Sequence, residues 1–205
     1  MFVIDRLAAW EVLDSRGRPT VAARVVLGGG ESGATQVPSG ASTGEHEAIE
    51  RRDRDPARYG GAGVLNACQA IQSEIAAAIG GRRLDDLAAL DQALIELDGT
   101  PDKRRLGANA LLAVSQASAC ALAAKAGLPL HAYLSSLIGV QPRLPVPYFN
   151  VINGGAHAAN ALAFQEFHGR PDRRGQPRRG GALRRRGLRR LAQAGRRAVR
   201  HRRRG

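Results

Sequence analysis

Residues 168–205 differ so sharply in composition from the rest of the chain that only the first 167 residues can build a packed core. This C-terminal segment holds 16 arginines and a single acidic residue, Asp172, for a net charge of +15. Residues 1–167 hold the other 15 basic and 17 acidic residues, for a net charge of −2. The net charge of +13 therefore describes the basic tail, and dense like charge with few apolar residues predicts that this tail is disordered.

Residues 1–140 predict an α+β domain, because strand patterns come first and helical patterns follow. β-branched and alternating residues indicate strands over 2–10, 20–27 and 32–36, joined by turns at Asp14–Gly17 and at the triple glycine 28–30. Short connections of this kind favour a three-stranded antiparallel meander.

Helical periodicity dominates the rest of this domain. A short helix is predicted for residues 45–51, capped by Ser42 or Thr43, and four more follow over 64–79, 84–97, 107–126 and 129–138. Glycines at 80, 81, 99 and 127 stand where helices would end. The proline-rich residues 142–147 then predict a linker, and strand character over 146–152 suggests that a second domain begins there.

The two cysteines bear on the redox compartment. Cys68 and Cys120 both fall within alanine-rich helical patterns, which favours small buried apolar residues over disulfide partners. The uncharged stretch 106–124 contains Asn109, Ser115 and Gln116, which indicates a buried helix and not a membrane span. We therefore expect a cytoplasmic protein.

Two segments carry residue types suited to chemistry. The loop 38–44, with the sequence PSGASTG, offers hydroxyls and free backbone groups that can ligate a hard cation or approach a phosphate, although such loops commonly serve only as connections. The segment GGAHAANALAFQEF places His157, Gln165 and Glu166 near the ends of two predicted strands. The histidine can donate to an anionic oxygen and the carboxylate can accept a proton, or both can be structural.

Three stretches taken together carry a family resemblance. In chain order they are PSGASTGEHEAIE, DGTPDKRRLGANALLAVSQA and PVPYFNVINGGAHAANALAFQEF, preceded by DSRGRPTV. They closely resemble the enolases over essentially all of residues 1–167. The resemblance implies an amino-terminal α+β domain over 1–140 and the truncated start of an α/β barrel over 141–167.

The resemblance also implies an activity and a set of site residues. Enolases are phosphopyruvate hydratases of glycolysis, which dehydrate 2-phosphoglycerate reversibly to phosphoenolpyruvate with two Mg²⁺ ions, and they are homo-oligomers. By position, the hydroxyl of Ser42 and the carbonyl of Ala41 match ligands of the second Mg²⁺. His157 matches the active-site histidine, Gln165 a substrate-contacting glutamine, and Glu166 the carboxylate near the leaving hydroxyl.

Other parts of the family's site have no counterpart in these residues. No lysine follows Lys125 to match the catalytic base, and Asp172 is the only acidic residue after Glu166, so the proton-donating glutamate and the acidic ligands of the first Mg²⁺ are absent. We therefore expect the chain to be a truncated enolase without activity on its own, with residues 146–167 either adhesive or disordered, because opening barrel strands leave unpaired edges.

Three interpretations of residues 168–205 remain open. The segment is predicted to be out-of-frame translation of a GC-rich gene, since arginine, glycine, alanine and proline dominate it. Alternatively, it is an arginine-rich arm that binds nucleic acid by releasing counterions, which would make the chain a non-catalytic, enolase-derived module. A third interpretation is a merely solvated, disordered end.

Overall fold

The computed structural model describes residues 1–40, 44–155 and 162–170. Within these ranges the chain divides into two compact units, Met1–Pro142 and a second unit that begins at Arg143. The division falls at the start of the predicted proline-rich linker.

The first unit is built on an antiparallel sheet, as predicted. Strand β1 spans Phe2–Leu13, β2 spans Pro19–Leu27, β3 spans Ser32–Gln36, and a short β4 spans Arg83–Leu84. The spatial order is β3-β2-β1-β4, so the predicted meander is confirmed and a fourth strand, which the sequence did not predict, joins its edge. This strand pairs Leu84 with Phe2 and Arg83 with Val3.

Five α-helices are described in the first unit. Helix α1 spans Leu65–Ala70 and runs through a π-helical segment, Ile71–Ile75, into α2 at Ala76–Ile79; a 3-10 turn at Tyr59–Gly61 precedes them. Helix α3 spans Leu87–Asp98, α4 spans Ala108–Lys125 and α5 spans Leu130–Leu137. These bounds confirm the four helices predicted after residue 63 within a few residues, except that Leu84 lies in a strand.

Helix α4 forms the centre of the core, packed against β2 and β3. Its buried side chains are mostly alanines, with Leu111, Val114 and Leu122 among them, and these face the fully buried Val21, Ala23 and Val25 of β2. Small side chains allow the helix to approach the sheet closely. At Gly33 of β3 an added Cβ would stand 2.3 Å from the carbonyl oxygen of Ala117 and from the amide nitrogen of Ala121.

The predicted helix over residues 45–51 is wrong. One turn forms, in which the Glu47 N–H donates to the Gly44 carbonyl at 3.2 Å, and the chain then runs on without helical structure. The Ile49 N–H donates to the Asp102 carbonyl, and the Ile49 carbonyl accepts from the Ala108 N–H, both at 2.8 Å. Hydrogen bonds to a distant segment thus replace those that a helix would have made locally.

The structure describes both cysteines, and one of the two is buried as predicted. Cys68 is buried, whereas Cys120 is only half-buried, and both are free thiols. Burial, and then the charges of Glu11 and Asp53, raise the pKa of the Cys68 thiol to about 11.

No single helix in the described ranges is long and apolar enough to cross a bilayer. Helices α4 and α5 reach that length and apolar composition only when they are taken together, and the pair is bent by 96°.

The second unit contains an antiparallel pair of strands. Strand β5 spans Phe149–Asn153, shifted from the predicted 146–152, and β6 spans Glu166–Gly169. The predicted tail begins at residue 168, but β6 continues two residues past that boundary. Several apolar side chains of this unit are exposed, including Tyr148, Phe164 and Phe167.

Candidate functional site

The first candidate region begins at the turn between β1 and β2. Asp14 accepts hydrogen bonds on Oδ1 from the N–H groups of Arg16, at 2.8 Å, and Arg18, at 2.9 Å. The Arg18 backbone hydrogen bond is the main cause that lowers the pKa of Asp14. Gly17 takes a positive φ of 71°, which suits glycine, so the DSRG sequence forms a turn whose carboxylate organises the backbone around it.

This turn contacts the first residues of the loop 38–44, which we call the Gly/Ser loop. The guanidinium of Arg16 donates through Nη2 to the Ser39 carbonyl at 2.6 Å. Arg52 donates through Nη2 to the Ser39 hydroxyl at 2.9 Å and pairs with Glu50. Residue 39 is thus fixed by two arginines immediately before the segment 41–43.

Arg52 is itself tied to the sheet. Its Nη1 donates to the Pro19 carbonyl at 2.7 Å and to the Ala62 carbonyl at 2.8 Å. The side chain therefore connects the loop to the start of β2. Sequence reasoning overlooked Arg16 and Arg52; the many arginines of the body offered no signal that set these two apart.

The predicted metal-ligating residues Ala41 and Ser42 fall in residues 41–43, which lie outside the described residues. The same holds for His157, in the gap 156–161. Within the described ranges there is no group of three or more His, Cys, Asp or Glu side chains placed to hold a metal ion. The described residues therefore do not assemble a Mg²⁺ site among themselves.

Glu166 and Gln165 lie together at the start of β6. Glu166 pairs across the sheet with Asn153, and Gln165 accepts through its carbonyl from the Gly154 N–H at 3.0 Å. An added Cβ at Gly154 would come within 2.5 Å of the Phe164 carbonyl oxygen, so the small residue allows the two arms of this connection to meet. Phe164 and Phe167 stack edge to face, 5.8 Å between ring centroids.

The Glu166 carboxylate is half-exposed and has a partner that sequence reasoning did not find. Its Oε2 lies 2.8 Å from Nε2 of His168, two residues along the same strand and so on the same face. This contact is an ion pair only when the imidazole is protonated. The i, i+2 spacing in a strand could have predicted it, but residue 168 was assigned to the tail.

Beside this pair, Asn150 donates through Nδ2 to Oδ1 of Asn153 at 2.6 Å. Asn150 stands opposite His168 in the pairing of the strands, and Asn153 stands opposite Glu166. Carboxylate, imidazole and two amides are therefore carried by one pair of short antiparallel strands. Groups of this kind can bind a polar ligand and exchange a proton with it.

Fold and site define a class: an α+β domain with an antiparallel meander, followed by a segment that opens with paired strands bearing acid, amide and imidazole groups. Residues 4–134 match the family model described as the enolase N-terminal domain, and residues 141–182 match the model described as the enolase C-terminal TIM barrel domain. The chain belongs to the enolase family. The barrel match extends to residue 182, beyond Phe167, where the change of composition had placed the boundary.

Proposed function

We propose that the chain derives from the phosphopyruvate hydratases, carbon–oxygen lyases that convert 2-phosphoglycerate reversibly to phosphoenolpyruvate in glycolysis, in the cytoplasm. Two observations carry this proposal. Residues 4–134 match the enolase N-terminal domain, and the three stretches that resemble the family, which include the loop 38–44 and the Gln165-Glu166-Phe167 sequence, follow one another in the family's order. We also propose that the 205-residue polypeptide has no turnover by itself.

The residues present supply only part of the chemistry. Glu166 stands near the position of the departing hydroxyl, Gln165 contacts the substrate, and His157 donates to an anionic oxygen. Mg²⁺, with the Ser42 hydroxyl and the Ala41 carbonyl among its ligands, would supply positive charge that stabilises the enolate intermediate. The lysine that removes the proton has no counterpart after Lys125, and general-base catalysis contributes roughly 10²–10⁴-fold to a rate.

The Glu166–His168 contact supports the assignment of Glu166 as a proton-exchanging group. A half-exposed carboxylate beside an imidazole can pass a proton without leaving the strand. The contact also occupies one of the two carboxylate oxygens of Glu166.

The test is turnover by the purified 205-residue polypeptide. Phosphoenolpyruvate formation is followed by its ultraviolet absorbance with 2-phosphoglycerate and excess Mg²⁺, beside material purified identically from cells without the coding sequence. We expect the same rate from both. A rate above that control that disappears in Glu166→Gln would contradict the proposed inactivity and support the site; a rate that Glu166→Gln leaves unchanged would come from a contaminant.

Two partner predictions stay open as proposals. Family members form homo-oligomers, and sedimentation of the polypeptide would show whether this one does. Nucleic-acid binding was predicted for residues 168–205, most of which lie outside the described ranges. Salt-dependent binding that is lost when these residues are deleted would favour that alternative, and binding that survives the deletion would reject it.

A further inference from the structure

A cleft of about 280 Å³ in the first unit is lined by residues of α3, of α4 and of the connection between them, and by Ala48. Its apolar lining includes the buried Leu94, Ala108 and Leu111, with Ile95 and Leu112 beside them. Ile95 is 44% exposed and Leu112 47% exposed. Large apolar side chains on both helices thus face an open space.

The polar groups of this cleft are few. They are Asp91 on α3, Ser115 on α4 and Lys103 in the connection between the helices. The Oδ1 atom of Asp91 is buried and has no hydrogen-bond partner among the described residues. A buried acceptor without a donor is unfavourable. Asp91 lines the cleft, so a donor bound there can approach its carboxylate group.

The connection between the helices sets the length of the cleft. The Leu106 N–H donates to Oδ2 of Asp98 at 2.8 Å, which holds the end of α3 beside the start of α4. Asp91 is seven residues back from Asp98, and Ser115 is seven residues on from Ala108. At 1.5 Å per residue both lie about 10 Å along their helices from this connection, where Lys103 is found.

The cleft therefore has a carboxylate and a hydroxyl at one end, an ammonium at the other and apolar side chains between them. We propose that it binds a linear small molecule with an ammonium group, an unbranched apolar middle and a carboxylate. An extended chain advances about 1.2 Å per bond, so about eight bonds span the distance. The ammonium would donate to Asp91 as a charge-assisted hydrogen bond, and the carboxylate would meet Lys103.

A small molecule suits this site better than a macromolecular segment does. The volume is near the lower end of the range for ligand pockets, roughly 300 Å³ and upwards, and is narrow for a helix with its side chains. The site uses none of the residues assigned to the enolase chemistry. A negative binding result at this cleft would leave the proposed function untouched.

The experiment titrates 8-aminooctanoate into the full 205-residue polypeptide and measures binding by calorimetry. We expect saturable binding that weakens at least tenfold in Asp91→Asn, which keeps the shape and removes the charge. Asp85→Asn makes the same charge change at an exposed residue outside the cleft, and we expect it to bind as the unaltered chain does. Octanoate, which lacks the ammonium, should bind the unaltered chain at least tenfold more weakly.

Three outcomes of the titrations would overturn the proposal. They are no saturable binding to the unaltered chain, equal affinity for 8-aminooctanoate and octanoate, and equal affinity of Asp91→Asn and Asp85→Asn for 8-aminooctanoate. The octanoate comparison needs no variant, so it decides the matter even if Asp91→Asn fails to fold. A dimer that dissociates in Leu112→Glu would assign the cleft to a second copy of the chain and would also overturn the proposal.

Discussion

Two non-glycine residues before α1 have a strained backbone conformation. Arg54 and Tyr59 both have positive φ angles, 60° and 51°, in the segment that leads from the Gly/Ser loop to α1. The left-handed region is costly for side chains other than glycine, by about 1–2 kcal/mol. Gly60 and Gly61 beside them take the same region without that cost.

We expect Arg54→Gly to stabilise the protein by about 1 kcal/mol, because glycine removes the left-handed strain while adding some backbone entropy to the unfolded chain. The measurement is the free energy of unfolding in urea. Arg82→Gly is the matched control, at an exposed arginine without a positive φ, and should destabilise by about 0.5–1 kcal/mol. Destabilisation of similar size in both variants would contradict the strain at Arg54.

Asp98 is a buried carboxylate whose ionised form is held by the backbone around it. Its oxygens accept from the Leu106 N–H at 2.8 Å, the Thr100 N–H at 3.0 Å and the Thr100 hydroxyl. Burial alone would raise the pKa of this carboxyl, but the Thr100 and Leu106 hydrogen bonds outweigh it, so the pKa lies below its ordinary value of 3.8. The arrangement joins the end of α3 to the start of α4.

Asp98→Asn should destabilise the fold by about 1.5–3 kcal/mol at neutral pH, since the amide offers an N–H₂ group to one of these donors. A folded-state pKa below the unfolded value means that the ionised carboxylate stabilises above about pH 3.8 and that this contribution is lost as the pH falls through the lower, folded value. Unfolding free energies of both proteins at pH 7 and near pH 3 test this. If the difference in unfolding free energy between the unaltered protein and Asp98→Asn grew on acidification, the role of the ionised carboxylate would be contradicted. Asp5→Asn, at an exposed and remote residue, serves as control.

At the scale of elements, the contact between β3 and α4 depends on one glycine. Gly33 lets α4 approach so closely that a Cβ would stand 2.7 Å from Cys120 Cβ and nearer still to backbone atoms of the helix. Backbone atoms at that distance cannot yield without moving the whole helix. The helix is the centre of the core, so the effect cannot stay local.

We expect Gly33→Ala to destabilise by about 1–3 kcal/mol or more, the usual range for overpacking. Gly28→Ala is its control, because the nearest atom to a Cβ there is 3.9 Å away and its φ is ordinary for an L-residue. Chemical denaturation of both variants measures the difference. Equal stabilities would show that β3 and α4 are farther apart than the structure has them.

The elements also show where sequence reasoning succeeds. Strands β2 and β3 and helix α4 were predicted within one residue, and β1 runs three residues further than predicted. Alternation, turn glycines and a long uninterrupted helical pattern are local signals, which is why these elements could be predicted. The segment 45–51 failed because its hydrogen-bond partners, Asp102 and Ala108, lie more than fifty residues away. Strand β4 failed for the same reason: two residues have no periodicity, and pairing with Phe2 and Val3 alone defines it.

The candidate site was predicted less completely. Gln165 and Glu166 came from a family resemblance that the family models confirm, whereas their roles stay predictions. The two arginines at Ser39 depend on three-dimensional neighbours, so a pattern of residue types could not reveal them. The Glu166–His168 contact follows from the i, i+2 spacing of a strand and was missed because residue 168 was assigned to the tail. The tail boundary at 167 was read from composition, and both β6 and the barrel match pass it.

At the scale of the whole molecule, the core lies almost entirely in the first unit. Among the residues that the structure describes, the buried side chains of the hydrophobic cluster all lie between Phe2 and Leu122. This cluster includes isoleucines, leucines and valines from β1, β2 and the helices, so apolar burial is available to the first unit from its own residues. A domain of this length has sufficient interior to fold without a partner.

Unfolding of a polypeptide of residues 1–142 tests this most directly. Circular dichroism in increasing urea should show native α+β content and a single cooperative transition, as expected of a small two-state domain. A spectrum without folded structure, or a gradual loss of signal with no transition, would contradict the conclusion that the enolase-family α+β domain can fold from these residues alone.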